Sequence, residues 1–148
     1  MSIETNPRRI LTVEAVDQLI DEHFPGVHAT GRWIRIESVA DRTARCRLQP
    51  SPQSIRPGGT ISGPAMFALA DLTIYVALIG TLGAPAIAAV TSNLNINFLL
   101  RPALADIVAD ARIIRLGRRL AYAEVQLYSE GNPEMIAHAT GSYVIPAK

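Results

Sequence analysis

Between Gly63 and Gly80 the chain reads GPAMFALADLTIYVALIG, a run in which nearly every side chain is apolar and a single one, Asp71, is charged. A segment of that character is buried on most of its faces, whether inside a protein or in a bilayer. An ionised carboxylate held there costs on the order of several kcal/mol unless it is hydrogen-bonded, paired or protonated. Asp71 is therefore a candidate functional group. The structural alternative is an aspartate bonded to backbone or to Thr and Tyr hydroxyls.

The rest of the chain must wrap this segment. Val13, Val16, Leu19, Ile20 and Phe24 recur at helical spacing with acids between them, which predicts an amphipathic helix from Thr12 that Pro25-Gly26 stops. Two alternating runs follow, Trp33 to Glu37 and Thr43 to Leu48, and they predict a hairpin turning near Asp41. QPSPQSIRPGGT is a Pro, Ser and Gly-rich loop leading into the apolar run, where Ser62 reads as the N-cap and Pro64 lies in the first turn. At 3.6 residues per turn Asp71 shares a face with Pro64, Phe67, Ala68, Ile74, Tyr75 and Leu78.

After Gly83-Ala84-Pro85 the pattern turns to strands. Asn93, Asn95 and Asn97 alternate with Leu94, Ile96, Phe98 and Leu100, and Arg101-Pro102 ends the run. Ile107 to Leu116 and Leu120 to Ser129 read as two strands joined at Gly117-Arg118, and Met135 to Ile145 as the last. The order is α+β: a helix, two strands, a long apolar helix and four strands joined largely by tight turns. One apolar helix inside a curved antiparallel sheet satisfies it. A membrane span is the rival for residues 63–80, opposed by Pro64 at one end, Asp71 at the centre, the lack of flanking basic clusters and the strands downstream.

Composition sets further bounds. A length of 148 residues suits one domain, 1–148, opening with the N-terminal helix. Hydrophobic residues reach 49% and charged ones only 18%, so part of the apolar surface calls for a partner, most simply another copy. Lys and Arg total 14 against 13 Asp and Glu, a formal net charge of +1 that argues against nucleic acid or an anionic membrane as partner. Cys46 is the only cysteine, which excludes an internal disulfide and fits a reducing compartment. His23, His28 and His138 are not at metal-ligand spacing. The opening MSIETNPRR has no apolar run behind its charges, so no secretory signal is expected and the default location is the cytoplasm.

GTISGPAMFALAD, followed some twenty residues later by TSNLNINFLLRPA, resembles the hotdog-fold acyl-CoA thioesterases of the phenylacetate-pathway type. In that family a "G-x-x-H-G-G" turn enters the central helix, an Asp follows on it, and a "T-x-x-L-x-I-x-F-L-R-P-A" strand comes next. GRRLAYAEVQLY resembles the family's "G-R-x-x-x-x-x-E-V" strand, and the likeness spans about Ser54 to Val144. It implies a hotdog fold, a curved sheet around one long helix, and hydrolysis of an acyl-CoA. The family's nucleophile or water-activating carboxylate falls on Asp71, its oxyanion-binding N–H on Gly63, and a Ser or Thr that places the water on Thr91. A helix N-terminus offers unpaired N–H groups and the positive end of a dipole to such an oxyanion. Family active sites lie between subunits, so a homodimer is implied, and beyond it a homotetramer built as a dimer of dimers. Coenzyme A enters as part of the substrate; no metal or redox cofactor is implied.

Two positions depart from the family. Ser62-Gly63-Pro64 stands where His-Gly-Gly is usual, so Ser62 either orients the thioester or only caps the helix. Arg56 stands where many relatives carry Asn; it pairs with Asp71, binds a phosphate or carboxylate of the ligand, or is a solvated loop residue. Arg118 and Arg119, with Arg112 and Arg115, are either a patch for the coenzyme A diphosphate or a solvated hairpin tip. The alternative function is a non-hydrolytic acyl-CoA or small-ligand binding protein. A hotdog dehydratase is a third reading, opposed by the lack of a histidine near Asp71 in sequence. His138 reads as a satisfied core histidine and Cys46 as a small core hydrophobe.

Overall fold

The computed structural model describes residues 9–147; the rest of the polar opening, residues 1–8, lies outside it. Helix α1, Val13–His23, starts on Thr12, whose hydroxyl accepts from the Ala15 N–H at 3.1 Å. Its apolar stripe seats Val16 and Ile20 in the core while Glu14, Gln18 and Asp21 face out. Pro25 ends it and opens a single 3-10 turn, Pro25–His28. Strands β1, Ile34–Ala40, and β2, Thr43–Leu48, form the expected hairpin, with Arg42 in the turn at a φ of 59° and its N–H donating to Thr81 Oγ1 at 2.9 Å.

The loop that follows carries structure that its composition did not signal. Two-residue strands β3, Ile55–Arg56, and β4, Thr60–Ile61, pair across Gly58 and Gly59, whose φ values of 101° and 79° suit glycine. The Ser62 N–H then donates to the Ser54 carbonyl at 2.7 Å, which fixes the point where helix α2, Gly63–Leu82, begins. The helix runs two residues past Gly80 and stops at Gly83, which takes a φ of 79° while its N–H donates to the Ile79 carbonyl at 2.7 Å.

A 3-10 turn, Ala84–Ala88, leads into β5, Val90–Phe98, then β6, Ile107–Leu116, β7, Leu120–Ser129, and β8, Met135–Val144. The main sheet is antiparallel throughout in the order β1-β2-β6-β7-β8-β5, which leaves β5 at an edge. It curves around α2, with α1 also packed on that helix. Small inward residues make the close approach possible: Ala109, Ala111, Ala123, Ala137 and Ala139 are buried, and a Cβ on Gly141 would lie 3.1 Å from Ile74 Cδ1 of α2.

This wrapping accounts for the all-apolar helix. By length and composition α2 could cross a bilayer, but most of it is buried inside the protein. Leu69, Ile74, Leu78 and Ile79 are at most 1% exposed, and each such side chain contributes roughly 1.5–3 kcal/mol. Cys46 lies in the core, as expected, and burial pushes its thiol up to about 12. His138 does not. It sits on the outer face of β8, half-buried, where its Nε2 meets Glu124 Oε2 at 3.2 Å. The small neighbours that suggested a core site occupy the opposite face of the same strand.

Candidate active site

Asp71 lies near the middle of α2, half-buried on the wall of a cavity of about 540 Å3. Phe24 and Val27 reach this cavity from the end of α1 and the turn after it, Trp33 from the start of β1, and Leu72 and Tyr75 from α2 itself. Thr91 Oγ1 donates to Asp71 Oδ1 at 2.8 Å. The Tyr143 hydroxyl donates to the same oxygen at 2.5 Å and lies 3.0 Å from the Asp71 carbonyl. Among the described residues no donor reaches Oδ2. The bonding is thus of the Thr and Tyr kind, yet it occupies one carboxylate oxygen and leaves the other without a donor among the described residues, on a side chain that lines the cavity.

The two hydroxyls come from directly paired residues, Thr91 on β5 and Tyr143 on β8. The register shifts between Thr91 and Asn93, so Ser92 is an extra residue. From Leu94 onward the inward positions are Leu94 and Ile96, opposite Gly141 and Ala139. Unbroken alternation would turn Thr91 outward with Asn93 and Asn95; the bulge at Ser92 turns it inward. Tyr143 is 4% exposed and its ring stacks on Tyr75, centroids 6.1 Å apart and planes inclined by 14°. Burial, and then the Asp71 carboxylate beside it, push the Tyr143 phenol far above its ordinary range, so it stays protonated and donates.

The start of α2 opens into a different cavity, about 750 Å3, lined by Gly63, Arg56, Arg101 and Phe98 among others. Ser62 Oγ accepts from the Ala65 N–H at 3.2 Å, and the Ser62 carbonyl accepts from the Met66 N–H at 3.1 Å. Pro64 has no N–H. Of the first-turn donors, the Gly63 N–H is the one that these bonds leave free among the described residues. Gly63 also makes room for the Phe98 ring, since a Cβ there would stand 3.2 Å from Phe98 Cζ.

The family model of the thioesterase superfamily matches residues 58–136, which take in helix α2 with Gly63 and Asp71 and strands β5 to β7. The chain belongs to the thioesterase superfamily. The solved structures bear on the same point. A protein of Silicibacter, described as a candidate thioesterase, is 32% identical, with 96% of this chain and 97% of that one covered at a TM-score of 0.82. The phenylacetic acid degradation protein PaaI of Thermus thermophilus, solved as a point mutant, shares the fold at 24% identity, with 82% of this chain and 99% of that one covered and a TM-score of 0.66. A provisionally assigned esterase of Halobacterium salinarum is 28% identical over 119 residues, 74% of this chain and 78% of its own. These likenesses agree with the hotdog architecture of the thioesterase superfamily.

Within this superfamily member the residues singled out in the sequence do not gather in one place. Asp71 and Thr91 meet at 2.8 Å. Gly63, Arg56 and Ser62 stand together at the other cavity or beside it, so that among the described residues Arg56 and Asp71 line different cavities and form no ion pair. Arg118 and Arg119 flank the far end of α2 with Leu82 and Pro85, and Arg119 Nε donates to the Ile145 carbonyl at 3.2 Å. Sequence reasoning missed Tyr143, whose partner is distant in the chain. It also gave Arg101 no role in the site, although the residue ends a strand and falls in the family's strand motif. Tyr75 was visible as a residue on the face of Asp71.

Proposed function

We propose that this chain hydrolyses the thioester of an acyl-CoA, with Asp71 as nucleophile or general base and the Gly63 N–H as oxyanion donor. One observation carries the reading: an aspartate mid-way along a core helix that lines a cavity walled by Phe24, Trp33, Leu72 and Tyr75 and whose Oδ2 has no protein donor among the described residues. An apolar acyl group in that cavity excludes water and strengthens every charge interaction at the thioester. Oδ2 then attacks the carbonyl carbon and expels the thiolate, leaving an anhydride that water hydrolyses to the free acid with a proton passing to the thiolate; or it takes a proton from a water that attacks instead, and that proton goes to the departing thiolate. The oxyanion formed on the way needs a fixed donor.

That donor comes from a second subunit. Gly63 and Asp71 are eight residues apart on a helix that rises 1.5 Å per residue, about 12 Å, and one thioester carbonyl cannot touch both. The unpaired edge of β5 and the exposed Val90, Phe98, Leu99 and Leu100 favour pairing with a second copy, and dimers of this kind joining as a tetramer. Arg56 and Arg101 flank the Gly63 cavity as cations for the anionic part of the substrate. Arg118 and Arg119 take part only if another subunit brings them near. The sole, buried Cys46 is consistent with the cytoplasm as the location.

A panel of acyl-CoA thioesters with detection of the free thiol tests the reading. Turnover by the wild type and a loss of at least about 10³-fold in Asp71→Asn are expected. An unchanged rate in that variant removes Asp71 from the mechanism. Thermal stabilisation by coenzyme A with no turnover of any thioester identifies a binding protein instead.

A further inference from the structure

We infer that Tyr143 is a positioning residue for the reaction: together with Thr91 it holds Oδ1 of Asp71 and turns Oδ2 toward the substrate. This rests on the reading of Asp71 as the reacting group. The carboxylate of an aspartate rotates easily about its last torsion, a broad, roughly two-fold barrier, so the helix alone does not decide which oxygen meets the cavity. Two donors from neighbouring strands remove that freedom. Because Oδ1 accepts from both Thr91 and Tyr143, a proton gained by the carboxyl during general-base catalysis goes to Oδ2, the oxygen without a donor among the described residues.

The strand around Tyr143 points the same way. Its inward neighbours Ala139 and Gly141 are small, which lets α2 lie close, and the next inward position abruptly carries a large aromatic. Phenylalanine would fill that space and stack on Tyr75 without needing a partner; the buried hydroxyl requires one and finds Asp71. The neighbouring Tyr75 hydroxyl is turned elsewhere and donates to the Ile87 carbonyl at 2.7 Å. The titratable groups lining this cavity are Asp71 and Tyr75 from α2 and Tyr143 from β8; no charged side chain of α1, β1 or β5 lines it. Competition for Oδ1 by a cation of the same chain is therefore absent among the described residues.

The test is Tyr143→Phe, which keeps the ring and its stacking and removes only the hydroxyl. Loss of orientation at the reacting group is expected to lower kcat by about 10- to 100-fold with KM nearly unchanged and the melting temperature within a few degrees of wild type. A proton NMR spectrum of the wild type should show a far-downfield hydroxyl resonance that is absent in Tyr143→Phe and displaced in Asp71→Asn. A wild-type kcat in Tyr143→Phe, or a loss of kcat that merely follows loss of folded protein, overturns the inference. The NMR arm separates this outcome from failure of the hydrolase reading: if no thioester is turned over, the hydroxyl resonance still reports whether Tyr143 holds Asp71, and its indifference to Asp71→Asn refutes the contact.

Discussion

Gly63 and Asp71 sit eight residues apart on one helix, yet they open into cavities that share no lining residue. A reaction that needs both therefore takes one from each of two chains. The expectation is complementation: Gly63→Pro, which deletes the N–H, and Asp71→Asn are each inactive alone. Co-expressed, they form heterodimers with one intact site, and random pairing restores about a quarter of wild-type activity. Recovery is read as thiol release from the purified mixture. No recovery from verified heterodimers would remove one of the two groups from the reaction and overturn the shared site.

Ser62 is a helix cap in this structure, its Oγ accepting from the Ala65 N–H. Ser62→Ala should lower stability by about 1 kcal/mol, whereas Ser62→Gly should cost only a few tenths. Chemical denaturation measures both, and kcat/KM should stay level in each. A large fall in kcat/KM without a change in stability would give Ser62 the thioester-orienting role instead.

At Gly80 two opposed effects can be ranked. Alanine in a helix interior gains roughly 1 kcal/mol over glycine, but a Cβ on Gly80 would overlap Val39 Cγ1, which belongs to a stiff, β-branched side chain. Overpacking of this kind costs about 1–3 kcal/mol, so Gly80→Ala should be net destabilising. Adding Val39→Ala should recover most of the loss in a double-mutant cycle. A more stable Gly80→Ala protein would show that β1 shifts freely away from α2.

On the outer face of the sheet, His138 and then Arg112 hold the Glu124 carboxyl below its usual range. A carboxyl lowered in the folded state stabilises at pH values above its unfolded pKa, and the effect fades as pH falls through the folded value. Wild type should exceed Glu124→Gln in stability at pH 7 by no more than about 1 kcal/mol, the pair being partly solvated. The gap should begin to close near about pH 4, the range of an unfolded glutamate, and vanish only below the folded value. A gap that widens on acidification would reverse the assignment.

Much of this fold is legible from nearest-neighbour patterns. The apolar run, the Ser62 cap and Pro64 mark the start of α2 because capping and helical spacing are local properties. Strands β6 and β7 fall on the residues expected of them, with Gly117 at their turn. The spacing of Asp71 and Tyr75 puts both on one helix face, and both line one cavity. His138 escaped, because the face it takes depends on the register of β8 against β7, where it stands opposite Gln126 and beside Glu124.

Spacing along the chain thus settles which residues form the central helix, which strands surround it and that a lone carboxylate must be accommodated at its middle. The tertiary structure decides what that carboxylate touches. Thr91 turns inward only because a bulge at Ser92 breaks the alternation, and it meets Tyr143 only because β5 pairs with β8. Those relations join residues 20 and 72 positions away from Asp71, as the hydrogen bonds show. Periodicity is an imprint of neighbours in the chain, whereas a bulge and a cross-strand partner arise when distant segments pack, and the orientation of Oδ2 follows from that packing.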